Sequence, residues 1–178
     1  MDKVDSLLKI IDRYDHYIEV ANNKANYLLA FIISISVGMA ALLGYSDILK
    51  FELSAPITNT LKVICIFIYA VNLLFAMQIL LDVHKIIFPN TSSPSTSVKS
   101  NIFFGDVASL SHIEYADSLK RMSPDSFQED LSFQANALAK IVDEKFKHQK
   151  QAMKIASQQY ILSSLFVSIL CGIIKALS

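Results

Sequence analysis

Three stretches of the chain are long, apolar and free of charged residues, and they limit its possible folds more than any other feature. They are residues 25–46, 63–81 and 155–174, with lengths of 22, 19 and 20 residues. A hydrocarbon core about 30 Å thick needs about 20 helical residues. The sequence therefore predicts transmembrane helices over residues 26–46, 62–82 and 155–175.

The composition of the remaining chain is that of an ordinary water-exposed protein. Charged residues make up only 18% of the whole chain, where a soluble domain has about 25%. All of them lie outside the three apolar stretches, and there they reach about 27%. The net charge is zero and no tract is strongly basic, which excludes electrostatic binding of nucleic acid as the main activity.

The distribution of Lys and Arg predicts the orientation in the membrane. Thirteen of them lie before the first span or between the second and third spans, against Lys50, Lys62 and Lys175 on the other side. The positive-inside rule puts the N-terminus in the cytoplasm and the 47–61 loop and the C-terminus outside. Cys65 and Cys171 then lie near the outer ends of their helices, where a disulfide is permitted but uncommon.

The N-terminal segment, residues 1–25, is predicted to be an amphipathic stalk helix. Apolar residues recur at spacings of three and four in a heptad seam. The seam comprises Val4, Leu7, Ile11, Tyr14, Ile18, Ala21, Ala25 and Leu28. The stalk and the first span are therefore expected to form one continuous helix.

The segment between the second and third spans is expected to hold a flexible Ser/Thr/Pro linker at 83–101 and a helical sensor region at 102–154. Ser111 and Glu114 have the spacing of a capping box, and Ser123-Pro124 is typical of a helix start. The long helix that follows is expected to enter the third span without a break. The predicted fold is an all-α integral membrane protein with a small cytoplasmic helical bundle formed by the stalk and this region.

Two charged clusters have both a chemical and a structural interpretation. Asp12, Asp15, His16 and Glu19 could bind a metal at helix spacing, but a solvated face opposite the seam is the favoured interpretation. Lys140, Lys147, Lys150 and Lys154 form a basic stripe that could bind anionic headgroups or an anionic small molecule.

A polar collar precedes the first span and consists of Asn22, Asn23, Lys24 and Asn26. These residues could hydrogen-bond neighbouring helices at the membrane surface. They could equally read the base and phosphate of a nucleotide. The sequence leaves both interpretations open.

Small and amide residues inside the spans predict helix packing, because small side chains permit close approach and an unpaired amide is costly in lipid. Asn72 and Gln78 could alternatively line a polar pathway. The predicted packing residues are Ser34, Gly38, Gly44, Asn72, Gln78, Ser164, Ser168 and Gly172. No catalytic, cofactor or metal motif is found in the sequence, so an enzyme, a cofactor and a metal are not expected.

Several motifs together resemble the transmembrane effectors of the Pycsar antiphage system. They are the Tyr14-to-Leu29 run with its Asn-Lys-Ala-Asn collar, the Phe103-Phe104-Gly105-Asp106 loop, Tyr115, and Lys145 on the helix that leads into the last span. The resemblance extends from about residue 8 to residue 175.

This resemblance implies a bacterial inner-membrane effector that works with a pyrimidine cyclase. Cyclic CMP or cyclic UMP made during phage infection would activate it, the membrane would lose integrity, and the infected cell would die or stop growing. The expected partners are the nucleotide, the lipid bilayer and further copies of the chain, with no nucleic acid. The candidate ligand-binding residues are Asn22, Asn23, Lys24, Asn26, Phe103, Phe104, Gly105, Asp106, Tyr115 and Lys145.

A binding hypothesis follows from the chemistry of these side chains. Lys24 or Lys145 could hold the phosphate, an aromatic ring could stack on the base, and the Asn collar could read the base edge. Two other functions are open: a ligand-independent, holin-like or channel-forming protein, and a membrane scaffold subunit. The large water-exposed part of the chain favours a sensor over a holin.

Overall fold

A computed structural model describes residues 3–88 and 100–177, and all its regular elements are helices. The helices are α1 (Lys3–Tyr45), α2 (Pro56–Ile87), α3 (Phe104–Ala108), α4 (His112–Arg121), α5 (Pro124–Ile155) and α6 (Ile161–Leu177), with a π-helical turn (Ala156–Tyr160) between the last two. Most of the predicted linker, residues 89–99, lies outside the described residues.

Three of the helical segments are long and apolar enough to cross a membrane. They lie within Lys3–Tyr45, Pro56–Ile87 and Pro124–Leu177. Only 17%, 22% and 28% of their most apolar windows are buried inside the chain. Most of the span surface is therefore left for lipid or another protein, as expected of membrane helices.

The chain divides into two compact units. The polar unit comprises Met1–Asn22 and Phe88–Phe146, and the apolar unit comprises Asn23–Ile87 and Lys147–Ser178. The predicted continuity of stalk and first span is confirmed, since α1 is one helix of 43 residues.

The heptad seam of α1 agrees with the burial of its residues. Its first five members are half-buried and the last three, Ala21, Ala25 and Leu28, are buried. Asp12, Asp15, His16 and Glu19 are exposed, which agrees with the solvated face. No group of three side chains in the described ranges could hold a metal ion. Burial and the neighbouring Asp12 raise the pKa of Asp15.

Two predicted helix starts in the polar unit are confirmed. The Ser111 side chain accepts from the Glu114 N–H, and the Glu114 carboxylate accepts from the Ser111 N–H at 2.8 Å. Helix α5 begins at Pro124, and Ser123 Oγ accepts from the Ser126 N–H at 3.1 Å. Both caps satisfy backbone donors that a helix start leaves unpaired.

The structure departs from the predictions at two places. Helix α2 continues to Ile87, five residues into the predicted linker, because Val83 and Ile86 are buried and His84 and Lys85 suit a helix C-terminus. The path from α5 into α6 is helical but contains the π-turn, where an unbroken α-helix was expected.

A short turn connects α1 to α2 and closes one end of the apolar unit. Asp47 has a positive φ of 51°, which Asp tolerates better than most residues. Its carboxylate pairs with Lys50 at 2.8 Å and with Lys175 at 3.2 Å, and these partners lower its pKa. The Lys62 ammonium donates to the Lys50 carbonyl. Lys62 of α2 and Lys175 of α6 therefore both bind this turn.

Candidate functional site

A buried lysine lies in the polar unit where the stalk packs against α5. The Lys145 residue is only 6% exposed, and its Nζ donates to Asn22 Oδ1 at 3.0 Å. Tyr17 packs edge-on against Phe146 with ring centroids 6.4 Å apart. Burial lowers the pKa of Lys145, because a charged ammonium is poorly solvated there. Two predicted ligand residues, Asn22 and Lys145, are thus in direct contact.

The other collar residues do not share this environment. Asn23, Lys24 and Asn26 are exposed and belong to the apolar unit, whereas Asn22 belongs to the polar unit. On a helix, successive residues point about 100° apart, so the collar residues at 22, 23, 24 and 26 cannot all face one partner. Asn22 is the collar residue that the structure directs toward Lys145.

The Phe-Phe-Gly-Asp loop is held by hydrogen bonds to two carboxylates. Asp106 Oδ2 accepts from the Ser100 N–H at 2.9 Å. Asp130 on α5 accepts from Ser100 Oγ at 2.6 Å and from the Asn101 N–H at 2.8 Å. Ser100 Oγ in turn accepts from the Phe103 N–H at 2.9 Å. Asp106 therefore fixes the loop, and its predicted role in ligand binding stays a prediction.

The two phenylalanines of this loop have different surroundings. Phe103 is 5% exposed, whereas Phe104 is 62% exposed, and their ring centroids lie 5.0 Å apart. A Cβ on Gly105 would come within 2.7 Å of the Phe103 ring, which explains the glycine. Of these two rings, Phe104 presents the open face on which a flat base could stack.

Tyr115 lies against the start of the same loop. Its hydroxyl donates to the Asn101 carbonyl at 3.2 Å, and Ser118 Oγ donates to Asn101 Oδ1 at 2.7 Å. The loop is therefore fastened to α4 as well as to α5. The hydroxyl of Tyr115 positions the loop, and the stacking of its ring on a base stays a prediction.

A second polar cluster joins all three spans of the apolar unit. Tyr160 is fully buried, and its hydroxyl donates to the Ile32 carbonyl at 3.0 Å and lies 2.8 Å from Ser36 Oγ. Asn72 Nδ2 lies 2.7 Å from Ser163 Oγ, 3.0 Å from Ser164 Oγ and 3.1 Å from the Tyr160 carbonyl. These contacts link α1, α2 and the start of α6.

A histidine and a buried aspartate are in hydrogen-bonding contact at the other end of α2. His148 Nδ1 is 3.0 Å from Asp82 Oδ1, and the Asp82 side chain is 6% exposed. The second carboxylate oxygen, Asp82 Oδ2, is buried and has no hydrogen-bond partner in the described part of the chain. This pair fastens α2 to the helix that leads into the third span.

The predicted packing residues fall into two groups. Asn72 and Ser164 are buried between α2 and α6 within one chain. Exposed positions are occupied by Ser34, Gly38, Gly44, Gln78 and Gly172. Ser168 is half-buried and donates to the Ser164 carbonyl. The exposed residues are free to contact lipid or another copy, and their packing role stays a prediction.

The two cysteines also face each other across α2 and α6. Cys65 and Cys171 are free thiols, both buried, with Sγ atoms 3.9 Å apart. Their matching depth follows from the sequence, since each lies one turn from an outer lysine. They report directly on the register of α6 against α2.

Sequence reasoning missed four residues that organise these sites: Asp82, Asp130, His148 and Tyr160. The sequence contains a feature that could have pointed to Asp82 and to Tyr160, but none that could have pointed to the other two. Asp82 directly follows an apolar run, and Tyr160 follows the polar triplet of Ser157, Gln158 and Gln159 at the start of the third span. A charge or a cluster of polar groups beside lipid needs a partner, and each has one here.

These features define a class of protein: an all-helical chain with three candidate membrane spans and a separate polar unit that contains a buried cation. The family model of the Pycsar effector protein domain matches residues 6–174. The chain belongs to this family, whose members are transmembrane effectors of antiphage defence and not a known class of enzyme. The family connects them to a cyclase and a cyclic nucleotide signal. Comparisons with curated proteins and with solved structures gave no match.

Proposed function

We propose that this effector binds cyclic CMP or cyclic UMP, made by a partner cyclase on infection, and then impairs the bacterial inner membrane so that the cell dies or stops growing. The match to the Pycsar effector domain over almost the whole chain carries the proposal. The N-terminus and the polar unit are assigned to the cytoplasm, where the cyclase product is made, because thirteen of sixteen basic residues lie in these segments.

Lys145 is the proposed phosphate-binding residue. A cyclic mononucleotide carries one negative charge, and a charge-assisted hydrogen bond is strong where water is excluded. The ammonium is nearly buried and its pKa is lowered, so an arriving phosphate would favour its charged form and offset the poor solvation. Asn22, which now accepts from Nζ at 3.0 Å, would exchange its partner for the ligand.

Phe104 is the proposed stacking residue for the base. Its ring is exposed, and the loop that presents it is fixed by Asp106, Asp130 and Tyr115. A rigid aromatic platform loses little entropy on binding. Phe103, by contrast, is buried against Gly105 and would serve as the support of the loop.

Binding is tested by thermal unfolding of the detergent-solubilised protein with cyclic CMP, cyclic UMP, cyclic AMP and cyclic GMP. A ligand that binds only the folded state raises the melting temperature by mass action. Lys145→Gln should weaken pyrimidine nucleotide binding by about tenfold or more, the loss of roughly 1.4 kcal/mol. Lys140→Gln, at an exposed position of the same helix, is the matched control and should bind normally.

Membrane damage is tested by dye leakage from proteoliposomes with the same nucleotides. Leakage should require a cyclic pyrimidine nucleotide and should be lost in Lys145→Gln but kept in Lys140→Gln. Leakage without any nucleotide would favour the holin-like function. Absence of both a melting shift and leakage would refute the proposal and leave the scaffold function.

A further inference from the structure

The π-turn at the start of the third span holds one residue more than an α-helical turn would. The Ile161 N–H donates to the Ala156 carbonyl, a bond that spans five residues where an α-helix spans four. If this turn tightened to an α-turn, each later residue would rotate by about 100° and advance by about 1.5 Å along the axis. The positions that face α2 would then be taken by the preceding residues.

The present register is held by the polar cluster around Asn72. Its Nδ2 lies within 3.1 Å of the Tyr160 carbonyl, and the Tyr160 hydroxyl binds α1 through Ile32 and Ser36. These contacts hold the last residue of the π-turn in place. Buried polar groups of this kind are costly to separate, so the register is well defined at rest.

The same cluster is incompletely satisfied, which leaves a competing arrangement accessible. Asn72 Oδ1 is buried and has no hydrogen-bond partner among residues 3–88 and 100–177. Gln159, one residue before Tyr160, is exposed on a span surface where an amide is unfavourable. Tightening the turn would bring Gln159 to the present position of Tyr160, where its amide N–H groups could donate to Asn72 Oδ1.

The second register would change the size of the side chains between α2 and α6. The buried face of α6 now consists of Ser164, Val167, Cys171 and Ile174. In the second register their places would be taken by the residues one position earlier: Ser163, Phe166, Leu170 and Ile173. At present Phe166 is 53% exposed and Ile173 is 43% exposed. Phe in place of Val, and Leu in place of Cys, cannot fit a closely packed interface without moving the helices apart.

We propose that α6 has two registers and that the π-turn converts one into the other: a resting register held by Asn72 and Tyr160, and a second one, rotated by about 100°, that widens the α2–α6 interface. The idea that nucleotide binding drives this change of register rests on the proposed function. The existence of the two registers does not. Asn72 is thus a positioning residue for the resting register.

Cysteine crosslinking with copper(II)-phenanthroline measures the register directly. The reagent oxidises two adjacent thiols to a disulfide and takes up their two electrons, with release of two protons. Cys65 should crosslink to Cys171 at rest, since their Sγ atoms are 3.9 Å apart. In a Cys171→Ser background, Leu170→Cys should crosslink to Cys65 only in the second register. Thiols that remain free are counted by the gel shift with a maleimide polymer.

Asn72→Leu removes the three contacts that Asn72 Nδ2 makes in the resting register and only one contact, with Gln159, that is proposed for the second. It should therefore favour the second register in the absence of nucleotide. The ratio of 65–170 crosslinking, measured with Leu170→Cys and Cys171→Ser, to 65–171 crosslinking, measured with the natural cysteines, should rise at least tenfold above the ratio obtained with Asn72 intact, and proteoliposomes should leak without nucleotide. Gln78→Leu, at an exposed amide position of the same helix, is the matched control and should leave the ratio unchanged. An unchanged ratio in folded Asn72→Leu would overturn the inference.

Deletion of Gln158 should have the opposite effect and keeps the inference testable if Asn72→Leu fails to fold. Removing the extra residue lets an ordinary α-helix preserve the resting register, so 65–171 crosslinking should persist. Nucleotide should still shift its melting temperature but cause no leakage. Loss of 65–171 crosslinking would mean that the π-turn survives the deletion, which contradicts the inference. If no nucleotide acts on the unsubstituted protein while the crosslinking of both variants is as stated, the proposed function fails and the two registers stand.

Discussion

Single residues in this chain have sharply different tolerance of change, even when they are of the same type. A Cβ at Gly105 would lie 2.7 Å from the Phe103 ring, whereas a Cβ at Gly38 would meet nothing within 4 Å. The first position supports the aromatic loop of the polar unit. The second lies on an exposed helix face.

Gly105→Ala should therefore destabilise the protein by about 1–3 kcal/mol, the usual cost of overpacking. The Phe103 ring would have to move, and the loop that presents Phe104 would loosen with it. Gly38→Ala is the matched control, and it should be neutral or stabilising by up to about 1 kcal/mol because Ala favours helix. Thermal unfolding in detergent measures both. Equal melting temperatures for the two variants would contradict the close contact.

Lys145 should give the polar unit a distinctive dependence on pH. Its folded-state pKa lies below the ordinary value of 10.5, so the unfolded chain binds more protons than the folded chain between the two values. Stability due to this group therefore rises as the pH rises through that window. Lys145→Met should flatten the rise in melting temperature on approaching pH 10.5, and the exposed control Lys140→Met should keep it. If the melting temperature of Lys145→Met still rises as the pH approaches 10.5, another group causes the rise and the prediction is wrong.

At the scale of helices and loops, the contact between α5 and the loop at 100–106 depends on one side chain. Asp130 accepts from Ser100 Oγ and from the Asn101 N–H. Hydrogen bonds to a charged group contribute about 1.5–3 kcal/mol. Asp130→Ala should destabilise the loop by a similar amount and speed the hydrogen exchange of the Asn101 amide. Glu129→Ala, at the exposed neighbouring position, should leave that exchange rate unchanged.

Local patterns in the sequence predicted the elements that depend on neighbours in the chain. The Ser111–Glu114 capping box and the Ser123-Pro124 start need only residues three or four positions apart, and both are present. The α1 seam likewise follows from helical periodicity. The three spans follow from length and apolarity alone.

Contacts between distant residues could not be predicted in the same way. Asn22 and Lys145 are 123 positions apart, and Ser36 and Tyr160 are 124 apart. Their meeting depends on how whole helices pair, about which a single sequence carries little information. The π-turn at 156–160 has the same origin, because tertiary hydrogen bonds to Tyr160 hold it in place.

At the scale of the whole molecule, topology is the most direct test of the assignment to the inner membrane. Alkaline phosphatase fused after residue 50 or residue 177 should be active, because these sites are expected outside the cytoplasm. An alkaline phosphatase fusion after residue 110 should be inactive, because this site is expected in the cytoplasm. A green fluorescent protein fusion at the same residue should be fluorescent. The reverse pattern would invert the orientation and place the Lys145 site outside the compartment in which the cyclase product is made.

The low burial of the spans has a consequence for the host. At most 28% of the residues in each apolar window are buried by the chain itself, so in the proposed membrane setting lipid chains would cover much of the remaining surface. A bilayer that differs by a few ångströms in thickness changes the free energy of such helices by fractions of a kcal/mol per ångström. In the proposed membrane setting, the resting stability of this effector would therefore depend on the fatty-acid composition of its host, and growth temperature, to which bacteria respond by remodelling their lipids, would shift the nucleotide concentration at which it acts.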